Sequence, residues 1–124
     1  MIEEAKCDCI IIGNFNEKNI LISPVLKVVR KVIKGQVILE GRHKNKTAEE
    51  SNLTLNGTLN NILDFLILNK RKVNVKRLSF LSITLTIRYS GQCNFELSAE
   101  ELYKITQLKI SLGISCYSDS KEGI

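Results

Sequence analysis

Catalysis in a small domain needs reactive groups held within reach of one another, so the reactive residues are the place to start. There is one histidine, His43, in the stretch Arg42-His43-Lys44-Asn45-Lys46, which has the composition of a solvated loop. Four cysteines stand at positions 7, 9, 93 and 116. Cys7 and Cys9 form a Cys-x-Cys pair inside an apolar run, whereas structural zinc prefers a Cys-x2-Cys turn, and thiols two apart on a straight strand address one metal poorly. Ordinary buried or half-buried thiols are the expectation, and a reduced chain with an adequate core does not need disulfides. The aspartates are Asp8, Asp64 and Asp119, and the paired acids Glu49-Glu50 and Glu100-Glu101 are neighbours only in sequence. The second acid pair suits the first turn of a helix, where carboxylates complement the dipole, and the first suits a loop. Cys93 follows Gly91-Gln92 in a turn, but a thiol nucleophile needs a base, and His43 is the ordinary candidate. The seven glycines are dispersed and build no phosphate-cradling motif. The chain is therefore expected to be non-catalytic, with no metal and no cofactor.

Charge is more informative. The formal net charge is +5, from 18 Lys and Arg against 13 Asp and Glu. Lys27, Arg30, Lys31, Lys34, Arg42, Lys44 and Lys46 against Glu40 give a local +6, and Lys70, Arg71, Lys72, Lys76 and Arg77 give +5, which leaves −6 for the rest. Two readings stand. Cations after a helix complement its C-terminal dipole, and cations on a hairpin guard a sheet edge, so both segments can be a solvated surface. Alternatively both meet on one side of the fold as a basic patch for an acidic partner, which would steer association. On that reading the partner-binding residues are Arg30, Lys31, Lys34, Arg42, Lys44, Lys70, Arg71 and Lys72. A protein partner comes first. Nucleic acid is the alternative, although it usually brings stacking aromatics or a basic recognition helix, and Phe15 and Tyr89 are isolated. A third class is a subunit that pairs its sheet edge with another copy.

The elements that must position these residues follow from periodicity. A chain of 124 residues is expected to form one domain, 1–124. No apolar run reaches the roughly 20 residues of a membrane span, and the acidic start Met1-Ile-Glu-Glu lacks a signal pattern, so a cytoplasmic address is expected. The stretch from Leu78 to Tyr117 organises the remainder. Leu81, Ile83, Leu85, Ile87 and Tyr89 alternate with polar residues as a strand with one buried face. Ser98 and Glu101 have capping-box spacing; Leu102, Ile105, Leu108 and Leu112 recur at helical spacing; and Gly113 stands where helices often end. Ile114 to Tyr117 reads as a further strand. Upstream, Lys6 to Gly13 is a strand apolar on both faces and hence internal to the sheet. A short helix from Asn16 to Leu21 is expected before Pro24, then a hairpin from Val25 to Gly41 turning at Gly35. A strand from Ser51 to Leu55 leads into a helix capped by Thr58 or Asn56, with Leu59, Ile62, Leu63, Leu66 and Ile67 inward. Ser118 to Ile124 reads as a frayed tail. The sum is an α+β domain: a mostly antiparallel sheet of about five strands with two or three helices on one face, for which a ferredoxin-like arrangement is one solution.

Gly13-Asn-Phe-Asn16 after a first strand, a following proline and Lys34-Gly35-Gln36 resemble the opening of the uncharacterised bacterial domain of unknown function four-two-seven-nine. The closing half is similar as well: the strand ending Tyr89-Ser-Gly-Gln-Cys-Asn-Phe-Glu-Leu97, the Ser-Ala-Glu-Glu helix and Ile114-Ser-Cys-Tyr117. The chain departs from that pattern at Leu21-Ile22-Ser23, at Gln36 and in having no Trp. What the resemblance implies is a small α+β protein of the immunity type, encoded beside polymorphic toxins and neutralising a toxin domain by direct binding.

Overall fold

The structure is a computed structural model and describes residues 1–15, 19–39 and 41–118. The elements are β1 (Ile2–Gly13), β2 (Lys27–Val32), β3 (Ser51–Gly57), α1 (Leu59–Leu68), β4 (Phe80–Tyr89), α2 (Ala99–Leu108) and β5 (Gly113–Ser118), with a 3-10 turn at Val75–Arg77 before β4. The strands form one mixed sheet in the order β2-β3-β1-β4-β5. β1 is antiparallel to β3 and β4, β2 is antiparallel to β3, and β5 is parallel to β4. This is an α+β fold with both helices on one face. The order β-β-β-α-β-α-β differs from the β-α-β-β-α-β of a ferredoxin-like domain, which has a helix after its first strand.

Alternation decides which face is covered. Cys7, Cys9 and Ile11 of β1, Leu53 and Leu55 of β3, and Ile83, Leu85 and Ile87 of β4 point to one side and are buried. Onto them α1 lays Leu59, Ile62, Leu63, Phe65 and Leu66. Its first turn is closed by Thr58, whose hydroxyl accepts from Asn61 N at 3.2 Å. In α2 the capping box is complete: Glu101 N donates to Ser98 Oγ at 3.1 Å and Ser98 N donates to Glu101 Oε1 at 2.9 Å. No residue of α2 is fully buried; Ile105 and Leu108 pack half-buried against the core, while Leu102 is exposed.

Strand direction gives the fold two ends. β1 and β2 finish at one, here called the upper end, where β3 and β4 begin. Each helix links two strands of the same sense, so both helices climb from the lower end to the upper and lie side by side. Lys104 ties them together, its Nζ reaching Asp64 Oδ1 at 2.7 Å, Asn60 Oδ1 at 3.2 Å and Glu100 Oε1 at 3.1 Å.

Several expectations are corrected. α2 stops at Lys109, which takes the left-handed conformation (φ 56°), and Gly113 instead opens β5. β5 starts opposite Thr84, partway down β4, so residues 109–112 are spent turning the chain back toward that register. The hairpin from Val25 to Gly41 is replaced. The turn at Gly35 forms (φ 90°, Gln36 N to Ile33 O 2.9 Å), but β2 pairs with β3. Residues 36–38 lie against 45–48 in a small ladder of their own, with Ile38 N to Lys46 O at 2.9 Å and Ala48 N to Gln36 O at 2.8 Å. β3 buries Leu53 and Leu55 and so fixes a register, whereas Val37 and Leu39 are exposed and fix none. β1 begins at Ile2 and not Lys6, and Ser118 closes β5 where a tail was expected. The first half of the expected helix from Asn16 to Leu21 lies outside the described residues, and residues 19–21 form no α-helix; the tail 119–124 is also outside the described residues.

Candidate functional site

The sheet face away from the helices carries no second layer among the described residues, and the register orders its side chains into rows. The uppermost row is Val32, Asn52, Ile12 and Phe80; the next is Arg30, Thr54, Ile10 and Ser82. Farther down lie Asp8 with Thr84, Lys6 with Thr86, and Glu4 with Arg88. The upper rows thus mix four apolar side chains, Val32, Ile12, Phe80 and Ile10, with Asn52, Thr54 and Ser82, and carry Arg30 at their edge. The lower rows are self-compensated: Glu4 pairs with Lys6 at 2.7 Å and with Arg88 at 3.2 Å, and the hydrogen bond from Lys6 holds the Glu4 carboxyl below its ordinary value.

Beside the upper rows, described residues of the segment between β2 and β3 and residues of the sheet border a groove of about 500 Å³. Its lining brings the apolar side chains of Ile12, Val32, Ile38 and Ala48 together with Arg30, His43, Lys46, Thr47, Glu49, Glu50 and Asn52. Ser79 Oγ lies 2.7 Å from Glu50 Oε2 and holds that carboxylate in place. Buried polar side chains keep this end in one shape. Ser51, fully buried, accepts from Lys34 N at 2.9 Å and donates to the Phe15 carbonyl at 2.8 Å, so the ends of β1 and β2 are tied through the first residue of β3. Asn69, just past α1, accepts from Leu21 N and donates to Leu21 O, both at 2.8 Å. On the other side of Phe15 a hollow of about 150 Å³ is lined by Asn14, Arg71, Lys72, Asn74, Arg77 and Leu78.

The two basic segments therefore converge on the upper end, one on each side of the residues that close β1. Lys34 sits at the Ser51 tie; Arg71 and Lys72 line the hollow; Arg30 borders the groove. Arg42 and Lys44 occupy the outer turn of the excursion, and Lys70 is exposed beside the hollow. Lys31 is not with Arg30: it shares a row with Leu53, so it projects toward the helix-covered side of the β2 edge. Phe80 in the uppermost row escaped sequence reasoning, while Lys46 and Arg77, counted in the basic segments, and His43, read as a solvated loop residue, join the candidate surface at the groove and the hollow. Ile10 and Ile12 were the available signal. Apolar residues on the second face of β1 fit an internal strand, which β1 is, and they also place Ile10 and Ile12 on the sheet face away from the helices.

No described arrangement activates a nucleophile. Burial pushes the Cys7 and Cys9 thiols up to about 12, with neighbouring Asp8 adding to Cys7 and Cys7 adding to Cys9. Burial also raises Cys93, with Cys116 beside it adding to the shift. Among the described residues no group of three or more His, Cys, Asp or Glu could hold a metal ion. No helix among them is long and apolar enough to cross a membrane. No family model, curated protein or solved structure matches the chain.

Proposed function

We propose that this is a non-catalytic binding protein of the immunity type, which neutralises a toxin domain by holding an acidic part of it against the upper end of the sheet. The observation that carries the reading is the convergence of two basic segments around the end of β1, next to the exposed-face side chains Ile12 and Phe80, with Val32 beyond Asn52 in the same row. An aromatic and arginines around a small apolar floor are the residue types that dominate protein interfaces. The surrounding cations would speed encounter with an acidic partner. A protein is favoured over nucleic acid because Glu49 and Glu50 line the same groove and would repel phosphates along it. The immunity assignment itself rests on the resemblance of the Gly13–Asn16 turn, the β4 end and the α2 cap to the bacterial domain named above.

The test is capture of the partner from source-cell lysate with and without nuclease, followed by binding kinetics over a salt series. The expected partner survives nuclease. Arg30→Glu/Lys46→Glu and Arg71→Glu/Lys72→Glu should each slow its association roughly 10-fold and flatten the salt dependence. Loss of capture on nuclease treatment would make the patch a phosphate-binding surface. An unchanged association rate in both variants would remove the upper end from the interface.

A further inference from the structure

The two edges of the sheet are built differently. β2 exposes Lys27, Arg30 and Lys31 and carries an irregularity between Val28 and Arg30. Charge and bulging are the usual devices that keep an edge strand from pairing with another chain. β5 has neither. Its sequence Gly-Ile-Ser-Cys-Tyr-Ser holds no charge and no proline, its register with β4 is unbroken over six residues, and Ile114 and Tyr117 are 48% and 60% exposed. Among the described residues nothing pairs with its outer side. A ladder of six residues is about 20 Å long, enough to specify a strand-to-strand contact.

We propose that β5 pairs antiparallel with β5 of a second copy about a twofold axis normal to the sheet, joining the two five-stranded sheets into one. Charge selects this occupant. The antiparallel arrangement reverses the second copy, so the basic upper end of each chain lies toward the lower end of the other, where Glu3, Glu96, Glu100 and Glu101 are found. Both copies of α2 stay on the same face and run in opposite directions. The acidic first turn of each, Glu100 and Glu101, then faces along the axis toward the other's C-terminal end at Lys109, and the two helix dipoles oppose. α2 also keeps Leu102 and Tyr103 exposed, apolar surface that a neighbouring helix can cover. Pairing through β2 would do the reverse, setting Lys27, Arg30 and Lys31 against their own copies. The isologous contact closes, so it yields a dimer and not a fibre.

Sedimentation of the full chain from about 1 µM to about 500 µM tests this, because a dimer must form by mass action. The expected mass rises to twice the 14.0 kDa of one chain. Ile114→Lys and Tyr117→Lys, both at exposed positions, should hold the chain at monomer mass with an unchanged circular dichroism spectrum, while Lys27→Glu on the other edge leaves the dimer intact. Hydrogen exchange of the wild-type chain supplies a readout that needs no variant: amides of β5 should slow as concentration rises, and those of β2 should not. A single-chain mass at the highest concentration, or concentration-dependent protection confined to β2, overturns the proposal. So does dimerisation of both lysine variants at wild-type strength.

Discussion

Replacing Asn69 by alanine should cost far more than a residue just outside a helix normally would. Asn69 is 2% exposed, and its amide acts as a piece of strand: it accepts from Leu21 N, donates to Leu21 O and donates to Phe65 O at 2.9 Å. The pairing holds residues 19–26 under α1, with Ile20 and Leu26 buried in the core. Three hydrogen bonds at a net ~0.5–1.5 kcal/mol each set the scale. Two considerations reduce the sum. Leu21 is itself exposed, so water can reach part of its backbone, and Phe65 O retains the Asn69 amide N–H at 3.1 Å. The expected loss is about 2–3 kcal/mol, or a melting temperature lower by roughly 10 °C for a domain of this size. Urea titration reads the free energy, and hydrogen exchange at Leu21 reads the local opening. Asn69→Asp separates the donors from the acceptor. It keeps the shape and the acceptance from Leu21 N but turns a carboxylate toward two carbonyls, so it should be worse than alanine at neutral pH and recover in acid as the carboxyl protonates. A loss below about 0.5 kcal/mol with Leu21 protection intact would refute the reasoning. An aspartate variant more stable than the alanine one would refute the role given to the two donated bonds.

Two further outcomes follow from the caps and the buried thiols. Ser98→Ala removes one half of the capping box on a helix with no fully buried residue, so it should cost about 1 kcal/mol and fray α2 first, seen as faster exchange at Leu102 and Glu101 with the sheet unaffected. Cys7 and Cys9 have folded pKa values near 12 against an ordinary 9.0, so the unfolded chain loses these protons first and stability must fall as pH rises from about 9 toward 12. The slope should approach about 2.7 kcal/mol per pH unit for the two thiols together, and alkylation at pH 8 should label Cys116 while sparing Cys7 and Cys9 until the chain unfolds. A flat alkaline limb would show that the thiols are less buried than described.

Ser98 and Glu101 announced a cap, and the cap is there. Leu59, Ile62, Leu63, Leu66 and Ile67 announced a helix face; the first four are buried, while Ile67 is only half-buried and Phe65 joins the face from a position the stripe did not require. The boundary at Gly113 was misread because a glycine after a helical stripe is a frequent stop, while here Lys109 accepts the left-handed conformation and the glycine serves β5. The hairpin at Gly35 was half right, since the turn is a local property of the chain and the partner of β2 is not. The same limit applies to the candidate surface: Arg30 and Lys31 are adjacent in sequence and lie on opposite sides of the sheet, whereas Arg71 and Lys34 are far apart in sequence and flank the same Phe15.

By itself the sequence determined the elements whose signals are local, namely alternation in β3 and β4, the two apolar faces of β1, the helical stripe of α1, and the capping box at Ser98. It also determined that charge is segregated along the chain. Only the tertiary structure decided that β3 and β4 are the two neighbours of β1, that β3 and not Val37–Leu39 pairs with β2, and that both basic segments end beside Ser51 and Phe15. The physical reason is that strand pairing and the meeting of remote cations depend on which buried faces fit one another across the whole core, and no window of neighbouring residues carries that information.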